Sequence, residues 1–167
     1  MAVYCAPRTD ADVFAEIGDT KKVLLIGCPS CANVSCAINR QDDRPVVRLT
    51  PTGIKAVCLR DEMLRLRGLL EKRGASVHSW LPNLPGGLCA LNEGARKKLF
   101  EQGHDGETVV TLSCETGKKN VESILPDSQV VAAMNARGLL RVVTRRRFGQ
   151  VLIDKKTVDI LEFTFDQ

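Results

Sequence analysis

The feature that most constrains this chain is the stretch "KVLLIGCPSCANVSC", residues 22–36, in which an unbroken apolar run meets three cysteines. "KVLLIG" (22–27) has the length of one strand and no polar alternation, so both of its faces must be covered. A second run of this kind, "TVVTLS" (108–113), ends at Cys114. Strands buried on both sides are found in parallel sheets with helices packed above and below.

The intervening sequence supplies alternating elements. "DADVFAEI" (10–17) reads as a short opening helix capped by Asp10, and residues 31–39 read as a helix start. "PVVRLT" (45–50) and "ASVHSWL" (75–81) have strand composition, and "SQVVAAM" (128–134) follows the second buried run. Residues 53–74 carry apolar side chains at Ile54, Val57, Cys58, Met63, Leu64, Leu66, Leu69 and Leu70, with Gly74 as a stop, and so predict a long helix. "PNLPGG" (82–87) is a loop, and 90–103 is helical despite Gly94. The tail, "LLRVVT", "QVLI" and "VDILEFTF", predicts short strands, a β-rich extension over 138–167. The expected fold is therefore α/β over a single domain, 1–167, with a mostly parallel sheet flanked by helices in the flavodoxin or Rossmann manner.

Composition narrows the function classes. At 167 residues, 44% hydrophobic and 26% charged, the chain has the balance of an ordinary globular domain. No apolar run approaches the ~20 residues that cross a bilayer, and the N-terminus has neither a basic start nor a long apolar stretch. The expected compartment is the cytoplasm, where thiols stay reduced. The net charge of +4 is mild, the Lys-Lys pairs and "TRRRF" (144–148) are scattered, and aromatics make up 4%. A continuous basic face with stacking aromatics is missing, so no nucleic-acid partner is expected.

Seven cysteines are anomalous in such a chain. Ligands of parallel sheets bind beyond the carboxyl ends of the strands. Cys28 follows one buried run, Cys114 the other, and Cys89 lies past the "LPGG" loop just ahead of a helix. Cys28 and Cys31 form a CxxC pair that can direct two sulfurs at one metal centre, with Cys89 and Cys114 completing four ligands. Cys36, five residues past Cys31, is the alternate. A cluster accepts one close pair plus remote cysteines, whereas structural zinc more often takes two close pairs; a [4Fe–4S] cluster is thus expected, with zinc as the alternative. Two other readings stay open. A CxxC at a helix start is also a thiol–disulfide motif, since the helix dipole favours the thiolate. Cysteine is also a small buried hydrophobe, the reading preferred for Cys58, while Cys5 reads as incidental. His78 and His104 are not expected to be ligands. The sequence has no GxSxG, HExxH, P-loop or GxGxxG, and Glu115 reads as a helix-start carboxylate, so no catalytic residue is proposed.

"VLLIGCPSCANVSCA", "LCALNEGARKKL" and "TVVTLSCETGKKNVESILPDSQVVAAMN" together resemble the MetV-type small subunit of methylenetetrahydrofolate reductases from acetogens and other anaerobes. Roughly residues 20–140 are covered. Cys28 and Cys31 match that family's first cysteine segment, Cys89 its second, and Cys114 with Gly117 its third. The family's third cysteine of the first segment falls on Ser35 here, with Cys36 one position later. Its "CGxGxQ" pattern has Glu115 after the cysteine, and its cysteine-rich C-terminal segment is absent. The resemblance implies an iron–sulfur accessory protein, not itself catalytic, that supports electron transfer in a flavoprotein reductase of one-carbon metabolism.

Overall fold

The computed structural model describes residues 2–40, 44–83, 86–103 and 108–164. The chain begins with β1 (Ala2–Pro7), α1 (Asp10–Ile17), β2 (Lys22–Gly27) and α2 (Cys31–Asn39). A short hairpin, β3 (Val47–Thr50) and β4 (Gly53–Ala56), leads into α3 (Cys58–Lys72) and β5 (Ser76–Trp80). Then come α4 (Glu93–Gln102), β6 (Thr108–Leu112), α5 (Glu115–Ile124) and β7 (Val130–Ala132). Four strands finish the chain: β8 (Met134–Arg141), β9 (Thr144–Arg147), β10 (Gln150–Ile153) and β11 (Asp159–Glu162).

The two apolar runs become the centre of a four-stranded parallel sheet, ordered β5-β2-β6-β7. Leu25 of β2 stands opposite Ser79 of β5 and Val110 of β6. Every residue of β6, and every residue of β2 after Lys22, is buried. Helix α3 packs over β2 and β5, while α1 and α5 pack against β7. The chain leaves β2 towards β5, then returns past β2 to β6, so the winding reverses between β2 and β6. A crevice opens at such a reversal, beyond the carboxyl ends of the two strands.

The expectation of a mostly parallel sheet is corrected by the other two sheets, β1-β8-β11 and β4-β3-β10-β9, which are antiparallel. Connection length is the physical reason. Only Pro51 and Thr52 separate β3 from β4, and only Phe148 and Gly149 separate β9 from β10, far too few residues for a parallel crossover. Phe148 and Gly149 both take positive φ, 47° and 69°, as a two-residue hairpin turn of this hand demands. The predicted helix over 53–74 likewise loses its first turn to β4, which pairs with β3. Thr9, not Asp10, caps α1, accepting the Asp12 N–H. The C-terminal strands form no sheet of their own: β8 pairs with β1, and β10 with β3.

One row of the second antiparallel sheet is cationic. Lys55, Arg48, Gln150 and Arg147 stand in register across its four strands, none of which carries an Asp or Glu. His78 lies exposed on β5, His104 falls outside the described residues, and no described helix is long and apolar enough to cross a membrane.

Candidate thiol site

The reversal between β2 and β6 carries two of the predicted cysteines. Cys28 follows β2 directly, and its N–H donates to Leu112 O at 2.9 Å, clamping the two strand ends together. Cys114 caps the N-terminus of α5, two residues past β6. Cys31 is the first residue of α2. Cys89 arrives from a different segment, a single 3-10 turn over Leu88–Ala90.

That turn is held from two sides. Leu88 N–H points at Cys28 Sγ, 3.5 Å away, and Leu88 O accepts Asn120 Nδ2 of α5 at 2.5 Å. Two glycines let the segments close up. A methyl group on Gly117 would stand 3.0 Å from Ser113 Cβ and 3.3 Å from Leu88 Cβ. One on Gly87 would stand 3.1 Å from Cys28 Sγ and 3.4 Å from Cys89 Sγ. The bare backbone at Gly87 thus leaves a cradle bordered by two sulfurs.

Backbone N–H groups converge on the sulfurs. Val3 N–H lies 3.4 Å from Cys31 Sγ, Ser30 and Ala32 join Leu88 around Cys28, and Gly117 approaches Cys114. The Cys114 thiol donates to Cys31, holding Cys31 well below the usual thiol range, with the Val3 N–H and the Ser30 side chain acting the same way against burial. Cys114 is pushed up in turn, first by that bond to Cys31 and then by burial. Burial raises Cys28, opposed by the N–H groups around it.

The structure therefore gathers Cys28, Cys31, Cys89 and Cys114 from three chain-distant segments at one sheet edge. Cys36 is not among them. It is buried on the α3 side of α2, its thiol pushed up to about 12, mainly by burial and then by Glu62. Cys58 is fully buried with its thiol 3.9 Å from Pro45 O, as the packing reading has it. Cys5, read as incidental, lies fully buried at the back of the cluster. Burial, then the charges of Cys31 and Cys28, push it to about 12. Ser35 ties this side together, accepting Cys5 N–H at 2.9 Å and donating to Cys31 O at 2.9 Å. Nothing in the local sequence reveals Cys5, because its strand is positioned by β8, more than 120 residues away.

The hydroxyls of Thr111 and Ser113, buried at the end of β6, have no hydrogen-bond partner. As placed, no three His, Cys, Asp or Glu side chains among the described residues gather closely enough to share a single metal ion. Tetrahedral zinc with ~2.3 Å bonds sets its sulfurs about 3.8 Å apart. A cluster binds each thiolate to a different iron and takes a wider-set group. Gly87 lies against the sulfurs of Cys28 and Cys89, and backbone N–H groups approach Cys28, Cys31 and Cys114. The chain matches no protein-family model, no curated protein and no solved structure.

Proposed function

We propose that this chain is an iron–sulfur protein whose cluster is held by Cys28, Cys31, Cys89 and Cys114 and which exchanges electrons with a docked protein partner. The observation that carries the reading is the meeting of these four cysteines, from three chain-distant segments, where the parallel sheet reverses its winding. A bound cluster supplies one-electron transfer. The chain's own residues do the rest: Leu88, Val3 and Gly117 present N–H groups that stabilise charged sulfur, and Asn120 fixes the turn bearing Cys89. Leu88 and Leu112, both buried, exclude water from the inner side. Cys89 is exposed, which leaves the outer side open to a partner.

The strand order β5-β2-β6-β7 supports the finer fold reading, a doubly wound sheet of flavodoxin type with antiparallel additions. The resemblance to the MetV-type small subunit supplies the partner, a flavoprotein reductase of one-carbon metabolism, and a reducing cytoplasm suits thiols kept free for iron. The test is protein purified without oxygen, assayed for iron, sulfide and zinc and by absorption. Iron and sulfide with a broad visible band that bleaches on reduction are expected, and Cys89→Ser and Cys114→Ser should each lose most of the iron. Iron that stays stoichiometric in both variants refutes the ligand set.

One observation favours a second reading. Cys31 lies beside Cys114, which holds its thiol low, and two adjacent thiols are the arrangement of a dithiol couple, with Cys114 rather than Cys28 as the partner of Cys31. Two thiols would then give two electrons and two protons to a disulfide-bearing acceptor, leaving a Cys31–Cys114 disulfide and a reduced dithiol. A colourless, iron-free protein that forms this bond on oxidation selects this reading.

A further inference from the structure

A cavity of about 430 Å³ opens between α3, β4 and the segment that leaves β5. Its size falls within the roughly 300–1,000 Å³ of small-molecule sites. Helix α3 lines it with one stripe, Arg60, Met63, Leu64 and Arg67, at the spacing of successive turns. Met63, Leu81 and Ala56 make an apolar floor, and Leu64 on the rim is 57% exposed. Lys55, Arg60 and Arg67 bring three cations, and no Asp or Glu lines the cavity. Arg67 shares its Nε with Glu71 at 2.7 Å, leaving its outer nitrogens available, and among the described residues Arg60 and Lys55 make no ion pair. The Ser79 hydroxyl, also on the wall, is buried without a hydrogen-bond partner.

The walls are braced before any ligand arrives. Asn83 accepts Ile54 N–H and donates to Thr52 O, both at 2.8 Å, stitching the segment after β5 to β4. Gly53 permits this at φ +133°, where a side chain would also strike Asn83 at 2.5 Å. The floor continues to the thiol site. A methyl group on Gly27, the residue before Cys28, would come within 2.5 Å of Met63 Sδ and 3.1 Å of Leu81 Cδ1.

We infer that this cavity binds a small organic anion, with an apolar body on the Met63–Leu81 floor and a carboxylate or phosphate held by Arg60 and Arg67. An apolar floor beneath Arg60, which makes no ion pair among the described residues, and Arg67, whose outer nitrogens remain available beyond its bond to Glu71, matches that chemistry, since a guanidinium forks two N–H donors onto such an anion. The site does not depend on what the cysteines hold, so it stands or falls separately from the cluster.

The experiment titrates the full-length protein with 2-naphthoate, 2-naphthyl phosphate, neutral 2-naphthalenemethanol and inorganic phosphate, followed by calorimetry and backbone amide shifts. One or both naphthyl anions should bind with shifts at Leu64, Ser79 and Leu81. The alcohol and inorganic phosphate should bind at least about tenfold more weakly. Comparing the two naphthyl anions decides between carboxylate and phosphate. Arg60→Gln and Arg67→Gln, both at the rim, should each weaken the preferred anion while leaving iron content unchanged. Binding of the alcohol as tightly as the anions, shifts away from the cavity, no binding of either anion, or indifference to both substitutions would each overturn the inference.

Discussion

Gly87→Ala separates the thiol cradle from mere packing. Gly87 has φ −98° and ψ 179°, extended backbone that alanine adopts without strain. The new methyl group would meet Cys28 Sγ at 3.1 Å, Ser30 Cβ at 3.3 Å and Cys89 Sγ at 3.4 Å, so its neighbours must give by a few tenths of an ångström. In the iron-free protein that crowding costs on the order of 1 kcal/mol. It is offset by about 0.4–1 kcal/mol from the stiffer unfolded chain. The melting temperature of the iron-free protein should therefore stay within about 2–4 °C of the parent for a chain of this size. With a cluster between those sulfurs the crowding cannot relax outward. A penalty of about 1–3 kcal/mol confined to the loaded state lowers cluster affinity roughly 5- to 150-fold. Competition of the loaded proteins with a ferrous chelator reads this directly, with melting of the stripped proteins as control. An unshifted chelator midpoint would show that Cys28 and Cys89 do not face a common centre across Gly87. An equal loss in both measurements would reduce Gly87 to a packing residue.

Two further outcomes follow from the side chains around the site and the outer sheet. Cys36 is raised from 9.0 to about 12, chiefly by burial. Its neutral form is thus favoured by folding, and the stabilisation is complete below pH 9 and lost as pH climbs towards 12. Urea midpoints across that window should fall more steeply for the parent than for Cys36→Ala, and parallel curves would contradict the burial argument. Arg48 faces Lys55 across β3 and β4 with no acid in the sheet. Arg48→Glu should raise stability by about 0.2–1 kcal/mol, seen as a higher melting temperature at low salt that converges with the parent at high salt; a lower one would show that the row carries no repulsion.

The parallel core of the fold, and the positions of Cys28 and Cys114 at its edge, were legible because they depend on local patterns. The runs around Leu25 and Val110 have strand length, no polar alternation and flanking loops, and their ends put Cys28 and Cys114 at one edge. The antiparallel sheets were not legible in this way. β1 pairs with β8, and β3 with β10, across separations of about a hundred residues or more, where no periodicity carries a signal. "GIKAV" continues the apolar spacing of α3, so in sequence the strand Gly53–Ala56 reads as part of that helix. What decided it was pairing with β3. The placement of Cys36 follows from helix geometry. At about 100° per residue, five positions turn a helix some 140°, away from Cys31, whereas four positions return Ser35 to within about 40° of it. Ser35 accordingly faces Cys31 and β1, and Cys36 faces α3.

The pairing of β1 with β8 also sets an order of assembly. During synthesis β2, α2 and β6 emerge well before residues 134–141, so the segments bearing Cys28, Cys31, Cys89 and Cys114 can meet while the N-terminal strand still lacks a neighbour to pair with. β1 packs on α2 through the Val3 N–H to Cys31 and the Cys5 N–H to Ser35, but it gains its strand partner only when β8 leaves the ribosome, which fixes Cys5 behind the other sulfurs. Contacts spanning most of a chain form late, because the loop between them must close first. The back wall of the thiol chamber is thus the last part fixed in place.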